Sequence, residues 1–146
     1  ALPPQPGQPD DRAAQGLTPA AVVQLSRENP DFIYVLRGIS PAGVLVNQET
    51  LSRSFLLTPN QLVQDWRPAS VADLQAQDMD AVLALQPALV LLGTGPRQRF
   101  PAPAVMAALL TRGIGIEVMD SAAAARTFNV LATEGRKVVA AFLVPG

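Results

Sequence analysis

The pattern of apolar and polar positions divides the chain into three stretches. Residues 1–20 set Pro3, Pro4, Pro6 and Pro9 among Gly7, Gln5, Gln8, Asp10 and Asp11. Proline fixes φ and has no amide to donate, so this run is expected to be an extended, solvated tail. From about Asp31 the pattern is that of strands. Ile33, Val35 and Gly38–Ile39 lead into Ser40-Pro41-Ala42-Gly43, residues that suit a turn. Gly43–Val46 reads as a second strand, with Asn47-Gln48 as a tight turn after it. Thr50–Leu57 sets Leu51, Phe55 and Leu57 against Ser52 and Ser54, the two-residue period of a half-buried strand. This part predicts an antiparallel meander.

The remainder alternates helix and strand. Val71–Leu85 is expected to be helical, with Ser70 as N-cap and Pro87 beyond its end. Ala88–Leu92 is short and wholly apolar, as in a strand covered on both faces. Pro103–Leu110 is a second helix, ended by Gly113. Ile114–Met119 is a strand, Ser121 caps a helix from Ala122 to about Glu134, and Gly135 stops it. Val138–Val144 is the last strand. A β-α-β-α-β order with connections of this length favours parallel units. The expectation is an α/β fold of three layers around a central mixed β-sheet, with residues 21–146 as one domain.

Composition narrows the chemistry. The chain has 146 residues, 49% apolar and 16% charged, with a net charge of −1. A chain of this size buries roughly 70% of its unfolded surface and needs no staple to hold a core. The weak net charge offers no global field for nucleic acid or a membrane surface. Cysteine and histidine are both absent. That removes thiol nucleophiles, disulfides, imidazole bases and every metal site built on those ligands, so no cofactor or metal is expected. No apolar run approaches the roughly 18 residues of a membrane span, and residues 1–20 do not form an intact signal peptide. A cytoplasmic location is expected, although numbering from Ala1 is also compatible with a trimmed mature end. Charge is uneven: residues 1–90 carry nine acids and five bases, residues 91–146 three acids and six bases.

The basic part holds the informative corner. The Ala88–Leu92 strand runs into Gly93-Thr94-Gly95-Pro96-Arg97-Gln98-Arg99-Phe100-Pro101. Glycines let backbone approach a ligand or bend tightly, and free amides at a following helix start can hold an anion. The third glycine of a dinucleotide fingerprint and the Gly-Lys-Ser/Thr of a phosphate loop are both missing. A turn with solvated arginines is the competing reading. The next strand ends in Met119-Asp120-Ser121. In an open α/β sheet the carboxyl ends of adjacent parallel strands share a crevice, so Gly93–Gly95 and Asp120–Ser121 are expected to border one cleft. Candidate ligand-binding residues are therefore Gly93, Thr94, Gly95, Arg97, Arg99, Asp120, Ser121 and Arg126. Arg126 either faces the cleft or pairs with Glu134 or Glu117. Phe128 and Leu131 read as core, the alanines after Ser121 as fillers of a narrow gap, and Trp66 as a loop anchor.

These joined motifs, continuing through Ala124-Ala125-Arg126-Thr127-Phe128-Asn129-Val130-Leu131 and Glu134-Gly135-Arg136, resemble a small family of unknown function. The family includes the mitochondrial respiratory complex I assembly factor 3 proteins and an adipogenesis-associated domain protein of animals. The chain is similar to bacterial members over roughly residues 25–145. Ala125 stands where members often have cysteine, and Ser121 where they often have threonine. The resemblance implies a three-layer α/β fold and no established catalytic set. It implies that the chain works by binding another protein, as the animal relative does in assembling a membrane complex. Three function classes follow. An interaction or assembly module predicts an exposed apolar patch, around Phe100 and Pro101 or on an edge strand. A small-anion or nucleotide site predicts arginines in a concave pocket near Gly95. An enzyme would rely on Asp120, with Glu117 and Glu134 as the other nearby ionisable groups.

Overall fold

A computed structural model describes the backbone of residues 26–28 and residues 33–145. The tail expected at residues 1–20 lies outside them. The strands are β1 (Ser26–Glu28), β2 (Leu36–Ser40), β3 (Gly43–Val46), β4 (Glu49–Leu51), β5 (Phe55–Thr58), β6 (Gln61–Val63), β7 (Leu89–Gly93), β8 (Gly115–Met119) and β9 (Val138–Phe142). The helices are α1 (Met79–Leu83), α2 (Pro103–Leu110) and α3 (Ser121–Thr133). β2, β3 and β4 pair antiparallel as the expected meander. The other six strands form one mixed sheet in the order β1-β6-β5-β9-β7-β8, in which β7 runs parallel to both β8 and β9.

Side-chain alternation along the central strands makes the three layers. On one face Phe55, Leu57, Leu91, Val138, Ala140 and Phe142 pack against the meander and against Ala124, Ala125 and Phe128 of α3. On the other face Leu56, Val90, Leu92, Val139 and Ala141 pack against α1 and against Val105 and Leu109 of α2. Phe55 and Phe142 stack with ring centroids 5.1 Å apart. Ala124 and Ala125 are buried and let α3 approach the sheet closely, whereas Ala122 is exposed and Ala123 half-buried, so only part of the expected alanine run fills the gap. Asn129 ties the meander to α3. It accepts from Leu36 N–H at 3.0 Å and donates to Leu36 C=O at 2.8 Å, replacing a strand partner. Among the described residues no helix is long and apolar enough to cross a membrane.

Two expected elements differ. Thr50–Leu57 is not one strand. Its first residues belong to the meander and its last to the large sheet, and the chain changes layer at the buried Ser54. Ser54 holds the step, accepting at Oγ from Val144 N–H at 2.9 Å and at its carbonyl from Trp66 N–H at 3.0 Å. Val71–Leu85 is not one helix either. It contains 3-10 turns at Val71–Asp73 and Ala76–Asp78 before α1, and Ser70 makes no side-chain cap. Arg67 explains the break. Its Nε and Nη2 donate to the Asp78 carboxylate at 2.8 and 2.6 Å, and its Nη1 to Asp73 at 3.0 Å. Gln75 N–H donates to the same Asp78 carboxylate, and Trp66 Nε1 to the Asp78 carbonyl at 3.1 Å. A charge-assisted fork of this kind outweighs the weak propensity of one helical turn. Trp66 thus anchors the loop, as expected. Arg67 holds the Asp78 carboxyl below the usual carboxylate range, helped by the Gln75 amide. The Ala69 amide and Arg67 do the same for Asp73.

Candidate functional site

β7 leaves the sheet at Gly93 toward α2 on one face, and β8 leaves at Met119 toward α3 on the other. Adjacent parallel strands with diverging connections normally leave a crevice where ligands bind. Here the two strand ends do meet, and their polar groups close on each other. Thr94 N–H donates to Met119 C=O at 3.0 Å, and Ser121 N–H to Gly95 C=O at 2.8 Å. Gly95 N–H donates to Ser121 Oγ at 2.8 Å. Ser121 is therefore a clasp for the loop. The N-cap of α3 is Asp120, which accepts from Ala123 N–H at 2.8 Å. That corrects the expected cap by one residue. The Gly95, Ser121 and Ala123 amides that could have held an anion are already paired.

The same stitching continues outward. The Thr94 hydroxyl donates to Arg97 C=O at 2.6 Å and accepts from Arg99 N–H at 3.2 Å. Gln98 Nε2 donates to Val118 C=O at 2.8 Å, covering an acceptor on the edge strand β8. Gly93 is required by packing. A Cβ there would lie 2.9 Å from the Phe142 ring and 3.1 Å from Ser121 Oγ. Gly95 is required by its φ of 93°, which side chains rarely adopt.

The loop faces a groove of about 570 Å³, walled opposite by Ala69–Ala72 and by Leu143 and Pro145. Of the eight candidates, Thr94, Gly95, Arg97 and Arg99 line it. Gly93, Asp120 and Ser121 support it from behind. Arg126 is not brought to it. Its side chain is exposed on α3 and makes neither expected ion pair, while Glu134 lies 4.0 Å from Arg136. Phe100 is 68% exposed at the end of the groove, and the adjoining Pro101 is buried. A second depression of about 540 Å³ begins at Phe100 and runs along α2 past Met106 to Leu110. The wall at Ala69–Ala72 was not legible in the sequence, because the Arg67 network, the Trp66 anchor and the packing of Val71 and Leu74 on the core together place it there.

The family described as "Protein of unknown function (DUF498/DUF598)" matches residues 36–143. The chain belongs to this family. NADH dehydrogenase (ubiquinone) 1 alpha subcomplex assembly factor 3 of Bos taurus is 35% identical over 123 residues, 83% of this chain and 66% of that protein. The chain thus spans just under two thirds of that relative's length. A protein of Xanthomonas campestris with a known solution structure is 54% identical. The match has a TM-score of 0.73 and covers 82% of this chain and 91% of that one. A crystal structure from Bordetella parapertussis is 34% identical with a TM-score of 0.73, covering 80% of this chain and 99% of that one. These relatives agree with the resemblance read from the motifs and with the three-layer fold.

Proposed function

We propose that this domain is a non-enzymatic, cytoplasmic protein-interaction module that serves as an assembly factor for a membrane respiratory complex. One observation carries the reading. The strand-end corner, the usual ligand position of such a sheet, has its Thr94, Gly95, Ser121 and Ala123 polar groups paired internally and forms a hydrogen-bonded mount. What it presents outward is Phe100 with Arg97 and Arg99. A mount of this kind suits recognition of a surface, where large apolar and arginine side chains contribute most. The bovine relative's name supplies the assembly role.

A photo-crosslinking amino acid placed at residue 100 in the native bacterium tests this, with the exposed meander position Gln48 as control. The expected result is a discrete crosslink at 100 to a respiratory-complex subunit or a companion assembly protein. Equal labelling at both positions would overturn the reading. A second reading, a small anion held by Arg97 and Arg99 in the groove, is favoured only by the absence of carboxylates among the described residues of its lining. It requires phosphate or a nucleotide to raise the unfolding midpoint, and the rise to vanish in Arg97→Ala.

A further inference from the structure

We infer that the surface centred on Phe100 accepts an acidic, apolar peptide segment of the partner protein. This deepens the interaction reading and rests on it. Phe100 and Leu110 are 68% and 54% exposed, and one continuous surface carries both. Among the described residues the other exposed large apolar side chains, Ile33, Ile39 and Val130, stand on β2, its approach or α3 and line neither depression.

Charge specifies the partner. Among the described residues, Arg97 and Arg99, both in the groove on the Thr94 side of Phe100, are the only charged side chains lining either depression. Neither makes a side-chain hydrogen bond or ion pair within the described residues. Two guanidinium groups beside an apolar trough are complementary to carboxylates that flank apolar side chains. Shape selects the peptide. A groove lies on the Thr94 side of Phe100 and a shallow, open depression on the α2 side, and a single peptide segment can follow both. The eight residues of α2 span about 12 Å, so a partner segment two to three helical turns long covers the path from Phe100 to Leu110. Such a segment would set its apolar side chains against Phe100, Met106 and Leu110 and its carboxylates against the arginines, the helix-in-groove mode.

The test selects short random peptides displayed on phage against the full 146-residue chain. Affinities of synthetic copies are then measured by fluorescence anisotropy at low and high salt. The expected winners combine Asp or Glu with large apolar residues, and they weaken as salt rises. Arg97→Glu with Arg99→Glu is expected to weaken them about tenfold or more, and lysine-for-acid copies to recover affinity on that variant. Phe100→Ser is expected to abolish binding at an unchanged unfolding midpoint. No winner, basic winners, or binding that survives charge reversal would overturn the inference. So would binding of phosphatidylglycerol-containing vesicles, but not phosphatidylcholine vesicles, by a chain that selects no peptide. A crosslink at residue 100 that persists in the charge-reversed chain would leave the interaction reading standing and remove only the acidic-peptide inference.

Discussion

Thr94→Val keeps the shape of the side chain and deletes one hydroxyl. Thr94 is 8% exposed, and its Oγ donates one proton at 2.6 Å to Arg97 C=O while accepting from Arg99 N–H at 3.2 Å. Its 3.2 Å approach to Met119 C=O adds little, because that carbonyl already takes the Thr94 N–H. The substitution therefore removes two loop hydrogen bonds. A net hydrogen bond is worth about 1 kcal/mol, and an orphaned buried partner costs about 1–3 kcal/mol. Arg97 and Arg99 sit on the exposed side of the loop, so water reaches their backbone and the cost falls to the low end, about 1.5 kcal/mol. For a chain of this size that lowers the unfolding midpoint by about 5 °C. Calorimetry measures the shift, and amide exchange reads the site, with Arg99 N–H losing protection before the core amides do. Thr94→Ser retains the hydroxyl and is expected to keep Arg99 protected. A Thr94→Val chain with the parental midpoint and parental exchange at Arg99 would refute the view that this hydroxyl shapes the loop.

Asp78→Asn is expected to lower the midpoint by several degrees at neutral pH, because it disrupts the fork from Arg67. Asp78 and Asp73 are held below their ordinary pKa, so their contribution is complete above the unfolded value and is lost as pH falls through the folded one. Melts followed by circular dichroism are expected to show a steep loss of stability below about pH 4 in the parent, and a shallower one in Asp78→Asn. Asn129→Ala removes both bonds to the Leu36 backbone and is expected to cost about 1–3 kcal/mol, with exchange rising first at the Leu36 amide. Uniform destabilisation without a local rise at Leu36 would argue against Asn129 as the clasp of the meander.

Elements with clean periods were legible. The wholly apolar run before Gly93 became the buried β7, and Pro103–Leu110 became α2 with proline near its start and Gly113 at φ 75° past its end. What escaped the pattern was set by side chains distant in sequence. Ser52–Ser54 extends the alternation of Thr50–Leu57, yet Ser54 bonds Val144, ninety residues away, and the strand divides between two sheets. Val71–Leu85 has adequate helical composition, but Arg67 draws Asp73 and Asp78 together and bends the chain into short turns. β6 was hidden because three residues give no period to read. The adjacency of Gly93–Gly95 and Asp120–Ser121 was legible from topology alone, since two consecutive parallel units place both strand ends side by side.

Chemistry at that corner was harder to read because one set of residue types serves two opposed ends. Glycine, threonine, serine and aspartate at parallel strand ends can leave donors free for a ligand, or they can satisfy one another. Composition does not separate the cases; the pairing does. Ser121 Oγ faces Gly95 N–H and the Thr94 hydroxyl bridges Arg97 and Arg99, so both hold the loop, while Asp120 is used in capping α3 at Ala123 N–H. Order gained this way has a consequence for recognition. A loop held by these bonds presents Phe100 and the two arginines from a backbone that is already ordered, so binding costs less in backbone ordering, while the arginine side chains still lose their own freedom. The motif that looks like a ligand cradle in sequence thus acts, on the interaction reading, one step away from its own atoms, by fixing the residues that follow it.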